Sequence, residues 1–173
     1  MKTSVFIATS LDGYIARRDG ALDWLPENCE PHGYDEFIAS VDAIVIGRKT
    51  WEIVLGFPEW PYGAKPVIVL SSSLTELRAP PGAVCDLLAG PPPDIVARLA
   101  GRGMKHLYID GGLTIQGFLR AGLIDRLIIT RIPVLLGSGI PLFGPLEQDI
   151  RFTHAATRSY PSGMVQSEYT LAP

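Results

Sequence analysis

Two spacings of apolar residues alternate along the first two thirds of the chain. Ser4-Val5-Phe6-Ile7-Ala8, Ala43-Ile44-Val45-Ile46, Pro66-Val67-Ile68-Val69-Leu70 and Leu107-Tyr108-Ile109 are short, nearly unbroken apolar runs, as expected of strands buried on both faces. Between them the apolar residues fall at helical spacing: Phe37, Ile38 and Val41 after Tyr34; Ile95, Val96 and Leu99 after Pro91-Pro92-Pro93; and Leu113, Ile115, Phe118, Leu119 and Leu123 after Gly111-Gly112. Pro93 or Asp94 is placed to open the second of these helices and Gly122 to cap the third. Ala83 to Leu88 allows a further short strand, and Asp125 to Ile132 a strongly apolar one ended by Pro133. The tail changes character: Phe152 to Tyr160, the turn Pro161-Ser162-Gly163, and Met164 to Leu171 read as a terminal antiparallel hairpin. Strands interleaved with helices predict an α/β fold, its sheet mostly parallel and completed by that hairpin.

The connections are uneven. Asp12-Gly13 signals a turn before Tyr14-Ile15-Ala16, and Arg17-Arg18-Asp19-Gly20 has the composition of an exposed loop tip. Asp23 to Gly33 carries Trp24, Pro26, Pro31 and His32 without periodicity, which fits either a functional lid or a surface insertion.

Candidate chemistry gathers where strands end. After Ile109 the chain reads Asp110-Gly111-Gly112 and enters a helix, whose first N–H groups lack partners and whose dipole is positive there. Glycines let a ligand approach that backbone, so the corner suits a pyrophosphate; its other reading is a plain strand-to-helix turn. Gly47-Arg48-Lys49-Thr50-Trp51-Glu52 forms a second such junction with two cations in the first helical turn, the reverse of what the dipole favours. Arg48 and Lys49 either meet an anion such as a phosphate or form a solvated pair. Leu70 is followed by Ser71-Ser72-Ser73, hydroxyls able to reach a ribose or phosphate. In α/β sheets ligands bind beyond the carboxyl ends of strands, and three ends suited to one extended dinucleotide point to a shared site. No Gly-x-Gly-x-x-Gly run is present, so the ordinary dinucleotide fingerprint fails. Asp35 and Glu36 open a helix, where they complement its dipole or serve as proton donors.

Composition narrows the partners. The 173 residues are 47% hydrophobic, enough for one domain spanning residues 1–173 with a full core. A net charge of −3 with scattered Lys and Arg argues against nucleic acid. No apolar run reaches membrane-spanning length, and the start runs straight into a strand, so a cytoplasmic protein without membrane attachment is expected. Cys29 and Cys85 show no metal-ligand spacing with His32, His106 or His154, so no metal site is expected and both thiols read as structural or incidental.

In that order, Gly47-Arg48-Lys49-Thr50-Trp51-Glu52, Leu70-Ser71-Ser72, and Ile109-Asp110-Gly111-Gly112 with Phe118-Leu119 resemble the cofactor-binding motifs of dihydrofolate reductase. Ser10-Leu11-Asp12-Gly13-Tyr14-Ile15-Ala16, Gly122-Leu123-Ile124-Asp125 and the run from Pro133 to Phe143 look still more like the reductase domain of the riboflavin-pathway deaminase-reductase. The likeness covers about residues 3 to 171. It implies a dihydrofolate reductase-like three-layer fold and an NADPH-dependent oxidoreductase acting on a small-molecule substrate, nearest to 5-amino-6-(5-phosphoribosylamino)uracil reductase. A homodimer joined through the sheet and its C-terminal hairpin is implied as well.

Carried over by position, the resemblance gives Ala8 and Ile15 to the nicotinamide carboxamide and makes residues 17 to 23 a loop closing over it. Gly47, Arg48, Lys49 and Thr50 would hold phosphates, Arg48 reaching the 2′-phosphate of NADPH beside Leu70, Ser71 and Ser72, and Gly111 and Gly112 would meet the pyrophosphate. Trp24 and Thr130 would face substrate, with Asp35 or Glu36 as the catalytic acid. Departures weigh against folate itself: Lys65 stands where folate reductases place an arginine that forks a carboxylate, which lysine cannot imitate, and Ile115 replaces a helix tyrosine. No zinc-binding deaminase motif occurs in these residues, so reduction alone is expected of them. Dihydrofolate reduction and a non-catalytic nucleotide-binding protein of the same fold remain alternatives, and Arg131 with Gly137-Ser138-Gly139 is a candidate seat for a substrate phosphate.

Overall fold

A computed structural model describes residues 1–27 and 30–173; Cys29 lies outside the described residues. The apolar runs form strands β1 (Lys2–Thr9), β3 (Ala43–Gly47), β4 (Val67–Leu70), β5 (Cys85–Leu88), β6 (His106–Asp110) and β7 (Arg126–Arg131), with β2 (Tyr14–Ala16) following β1. Helices α1 (Tyr34–Ser40), α2 (Arg48–Leu55), α3 (Pro92–Gly101) and α4 (Gly112–Arg120) alternate with them, and β8 (Ile140–Pro141), β9 (Phe152–Ser159) and β10 (Val165–Leu171) complete the chain. One eight-stranded sheet has the order β5-β4-β3-β6-β1-β7-β10-β9. Neighbours from β5 to β7 are parallel; β10 runs antiparallel to both β7 and β9.

Side-chain alternation sorts the core into two layers around this sheet. Val5, Val45, Leu107 and Ile109 face Ile95 and Leu99 of α3 and Ile115 and Phe118 of α4. Phe6, Ile44, Ile46 and Tyr108 face Phe37 of α1 and Trp51 and Val54 of α2. The helix-sheet-helix stack is the expected three-layer arrangement. Gly122, at φ +66, follows α4 as expected of a left-handed cap, and its N–H and that of Leu123 return to Leu119 and Phe118 carbonyls. Pro92, rather than Pro93, begins α3, and Asp94 makes no side-chain cap there.

Three local features depart from expectation. Leu113, placed by periodicity on the buried face of α4, is 67% exposed, because it belongs to the first turn and lines an open cleft. Gly20 is no exposed tip: it is buried at φ +89, and a Cβ there would come 3.1 Å from Ile53 Cδ1 of α2. β2 pairs antiparallel with β8 in a separate two-stranded ribbon that short-range patterning does not reveal.

Candidate active site

Parallel pairing sets the C-terminal ends of β4, β3, β6 and β1 side by side, with Leu70 beside Gly47 and Asp110 beside Ile46. The turns singled out in the sequence therefore open onto one edge. A cleft of about 690 Å³ runs along it, within the range of cofactor-sized sites, and Ala8, Ile15, Gly47, Arg48, Lys49, Thr50, Leu70, Gly111 and Gly112 all line it.

At the middle of the cleft two helix starts converge. Neither Gly47, before α2, nor Gly111, before α4, supplies a side-chain cap, so the leading N–H groups of both helices stay available. The helices interlock crosswise through hydroxyls: a Cβ on Gly47 would sit 2.8 Å from Thr114 Oγ1, and one on Gly111 would collide with Thr50 Oγ1. Gly111 also holds φ +89 with ψ 133, a conformation essentially restricted to glycine. Arg48 and Lys49 add positive charge, Arg48 Nη1 lying 2.9 Å from Glu52 Oε1 in an exposed pair. Two positive dipole ends, free N–H groups, two cations and two hydroxyls make an anion cradle fit for a pyrophosphate.

The β2–β8 ribbon forms one wall. Gly112 lets it approach, since a Cβ there would come 3.0 Å from Ile15 Cδ1 and 3.4 Å from Ile140 Cγ2. Gln116, buried in α4, donates through Nε2 to the carbonyls of Pro141 (3.1 Å) and Leu142 (3.3 Å). The Asp12 carboxylate ties the far end: it accepts from Ser10 Oγ (2.6 Å) and from the N–H groups of Leu136 (3.1 Å) and Gly137 (2.7 Å). The Ser10 hydroxyl above all, with those N–H groups, holds this carboxyl below its ordinary pKa. From the ribbon, residues 17–23 fold into a strap closed by Arg17 Nε to Asp23 Oδ1 (2.6 Å), and Gly20 rests it on Ile53.

Asp110 is the acid the sequence reading treated only as a turn residue. Burial pushes its carboxyl up to about 6, against one opposing hydrogen bond from the Gly111 N–H. It lines the cleft with Tyr62 and Tyr108, whose hydroxyls are also driven up mainly by burial; Tyr108 Oη donates to the Phe6 carbonyl at 2.8 Å. A carboxyl titrating near neutrality in a cleft can both hold and release a proton under ordinary conditions.

The sequence matches the RibD C-terminal domain family over residues 2–166. The chain belongs to that family. A crystal structure described as a putative riboflavin biosynthesis protein from Shewanella sp. PV-4 is similar to it at 43% identity and a TM-score of 0.93, each chain covered in full. Uncharacterized protein YwjB of Bacillus subtilis (strain 168) is 35% identical, over 99% of this chain and 98% of its own. A dihydrofolate reductase from Enterococcus faecalis, in complex with NADP(H) and RAB-propyl, shares the fold at a TM-score of 0.69 and 19% identity, with 99% of this chain and 97% of that one covered.

The remaining sequence candidates lie at varied distances from the cleft. Ser71 and Ser72 follow Leu70 on its rim without lining it, and Ser71 Oγ accepts from the N–H groups of Ser73 (3.2 Å) and Leu74 (3.1 Å). Thr130 is buried beside Ala8 in the sheet, where its Oγ1 accepts from Gln166 Nε2 at 3.0 Å. Trp24 is buried against Ile132 and Met164, and among the described residues its indole N–H finds no acceptor. Asp35 is exposed at the start of α1. Glu36 lines a different, smaller pocket of about 280 Å³ with Arg126, Arg158 and Glu168. Arg131 and Gly137-Ser138-Gly139 do not line the main cleft. Among the described residues no group of three or more metal-ligating side chains is gathered, and no helix is long and apolar enough to cross a membrane.

Proposed function

We propose that the protein is an NADPH-dependent reductase of the riboflavin-pathway type, acting on a small heterocyclic or imine-bearing substrate. The observation that carries this reading is the convergence of two uncapped helix starts, Gly47 and Gly111, on one cation-flanked corner of the cleft. When bound, NADPH would supply a hydride to an electrophilic carbon, and one proton completes the reduction of a C=N group to CH–NH, leaving NADP⁺.

Residues of the chain account for the rest. The α2 and α4 starts, with Arg48, Lys49 and Thr50, would bind the phosphates; Arg48 can exchange Glu52 for a 2′-phosphate because the Arg48–Glu52 pair is exposed and weak. Ala8 and Ile15 would border the nicotinamide. The strap and ribbon exclude water from the reacting centre, which strengthens each electrostatic contact inside. Asp110, half-buried and poised near neutrality, is the better-placed proton holder; Asp35 and Glu36, the acids of the sequence reading, lie outside the cleft. Folate reduction is the second possibility, favoured by the shared fold, though Lys65 Nζ is engaged with the Val41 carbonyl at 2.6 Å and does not line the cleft. We also propose a homodimer through the C-terminal hairpin: β9 ends the sheet with nearly every residue exposed, and a second copy would cover it.

The test is consumption of NADPH or NADH against a panel of aminouracils, dihydropteridines and cyclic imines. Oxidation of NADPH in preference to NADH by at least one ring substrate is the expected result. A protein that binds NADPH yet turns over none of the panel would favour the non-catalytic alternative.

A further inference from the structure

We infer that the substrate half of the cleft takes a flat, uncharged or weakly basic ring and admits no phosphate or carboxylate tail. This rests on the reductase reading and specifies the substrate class for that site. Helix α2 lies along the cleft with its charge at one end: Arg48 and Lys49 occupy the first turn, beside the glycine corners, whereas Ile53 and Val54 occupy the last, followed by Phe57. Phe6, Leu22 and Leu25 add further apolar lining, Leu22 from the strap itself and Leu25 from just after it. The polar groups among these apolar walls include the Asp110 carboxyl and the phenols of Tyr62 and Tyr108, the latter engaged with the Phe6 carbonyl.

Apart from the α2 start and Arg18, no lysine or arginine among the described residues lines the cleft; Arg158 lines the smaller pocket with Arg126, and Arg131 lines neither. Lys65 donates to the Val41 carbonyl, Arg126 forms a bidentate pair with Glu168 (2.6 and 2.8 Å), and Arg17 is taken by Asp23. The residues outside the description, Asn28 and Cys29, bear no positive charge. Only Arg18 reaches the cleft apart from the α2 start, and it sits exposed on the strap. An anion carried into the apolar half would be desolvated without a partner and would face Asp110, which is itself anionic above about pH 6. A neutral ring bearing N–H groups instead meets the carboxyl with a hydrogen bond and the phenyl and leucine walls with its faces.

The experiment is calorimetric titration in two steps on the whole chain. NADP⁺ is titrated first; the NADP⁺-saturated protein then receives either an aminouracil or its phosphoribosylamino derivative, and Arg18→Ala receives the same pair. The expected result is that the plain ring binds more tightly, by about tenfold or more, with the ratio in Arg18→Ala within about threefold of wild type. Equal or tighter binding of the phosphoribosylamino compound overturns the inference, and loss of that advantage in Arg18→Ala would name Arg18 as the anion seat. Failure of the plain ring to bind overturns it too. If NADP⁺ itself does not bind, the reductase reading falls at the first step and takes this inference with it; NADP⁺ binding with the anionic probe preferred removes the inference alone.

Discussion

Replacing Asp110 by Asn should make the protein more stable at alkaline pH and less able to catalyse. Burial raises the Asp110 carboxyl from its ordinary value near 3.8 to about 6, so the folded state holds a proton that the unfolded chain gives up more readily. The sign follows: no penalty exists below pH 3.8, the penalty grows as pH rises from there through about 6, and it is complete above. Two pKa units correspond to about 3 kcal/mol, and the side chain keeps some contact with water, so roughly 2 kcal/mol is expected in practice. Asn keeps the shape and removes the charge. Asp110→Asn should therefore gain roughly 2 kcal/mol at pH 8, which for a chain of this length is about 4–8 °C in Tm, and nothing near pH 3.5. Urea melts of both proteins across that range, without cofactor, measure the difference. An Asn variant no more stable than wild type at pH 8, or equally stabilised at both ends of the range, would refute the burial of an ionised Asp110. Stability gained together with lost turnover is the signature of a group kept for chemistry.

Gly111→Ala should cost about 2–3 kcal/mol from backbone strain at its positive φ and displacement of Thr50, and should abolish cofactor protection in thermal melts; pairing it with Thr50→Ala should recover only the steric part. Ile95→Ala in α3, fully buried and not among the residues that line the cleft, should lose about 2–5 kcal/mol while leaving NADPH affinity unchanged, as read by denaturant melts and titration. Asp12→Ala should free the ribbon at Leu136 and Gly137, seen as faster limited proteolysis of that loop and a raised KM for NADPH. Because the Asp12 pKa is depressed, its tie is present above the ordinary carboxylate range and is lost as pH falls through the folded value, so wild-type protection from proteolysis should fade in acid and that of Asp12→Ala should not change.

The parallel part of the sheet was legible because its inner strands are buried on both faces and therefore written as unbroken apolar runs; β3 and β6 stand out from their glycine-rich successors without knowledge of any contact. The terminal hairpin carried its own turn, Pro161-Ser162-Gly163. What escaped was set by contacts between distant segments. The β2–β8 ribbon consists of three residues paired with two, joined across more than a hundred positions, and Gly139 and Pro141 disguise its second strand. Gly139 is there because a Cβ would strike the Ala16 carbonyl, a reason visible only once the two strands are together. Gly20 read as exposed since Arg17, Arg18 and Asp19 precede it, yet it is the point where the strap meets Ile53. Asp110 does not stand out in the sequence because Asp before Gly-Gly is ordinary turn composition; the signal that distinguishes it is its place after three buried strand residues, where a carboxylate has little water. Asp35 and Glu36 stand out by their place at a helix start and by the resemblance, and neither fixes a neighbour across the fold.

The claim at the centre is that the Gly47, Arg48 and Gly111 corners hold one phosphorylated dinucleotide. Its most direct measurement is the melting temperature of wild type and Arg48→Ala with NADPH and with NADH at equal concentrations. With NADPH about a hundredfold above its Kd, binding adds about 2.7 kcal/mol, and wild type should rise by roughly 5–11 °C. NADH, lacking the 2′-phosphate and its charge-assisted contact worth about 1.5–3 kcal/mol, should raise it by only roughly 1–5 °C, and Arg48→Ala should respond to both alike. Equal shifts in wild type, or a preference for NADPH that survives in Arg48→Ala, would contradict it.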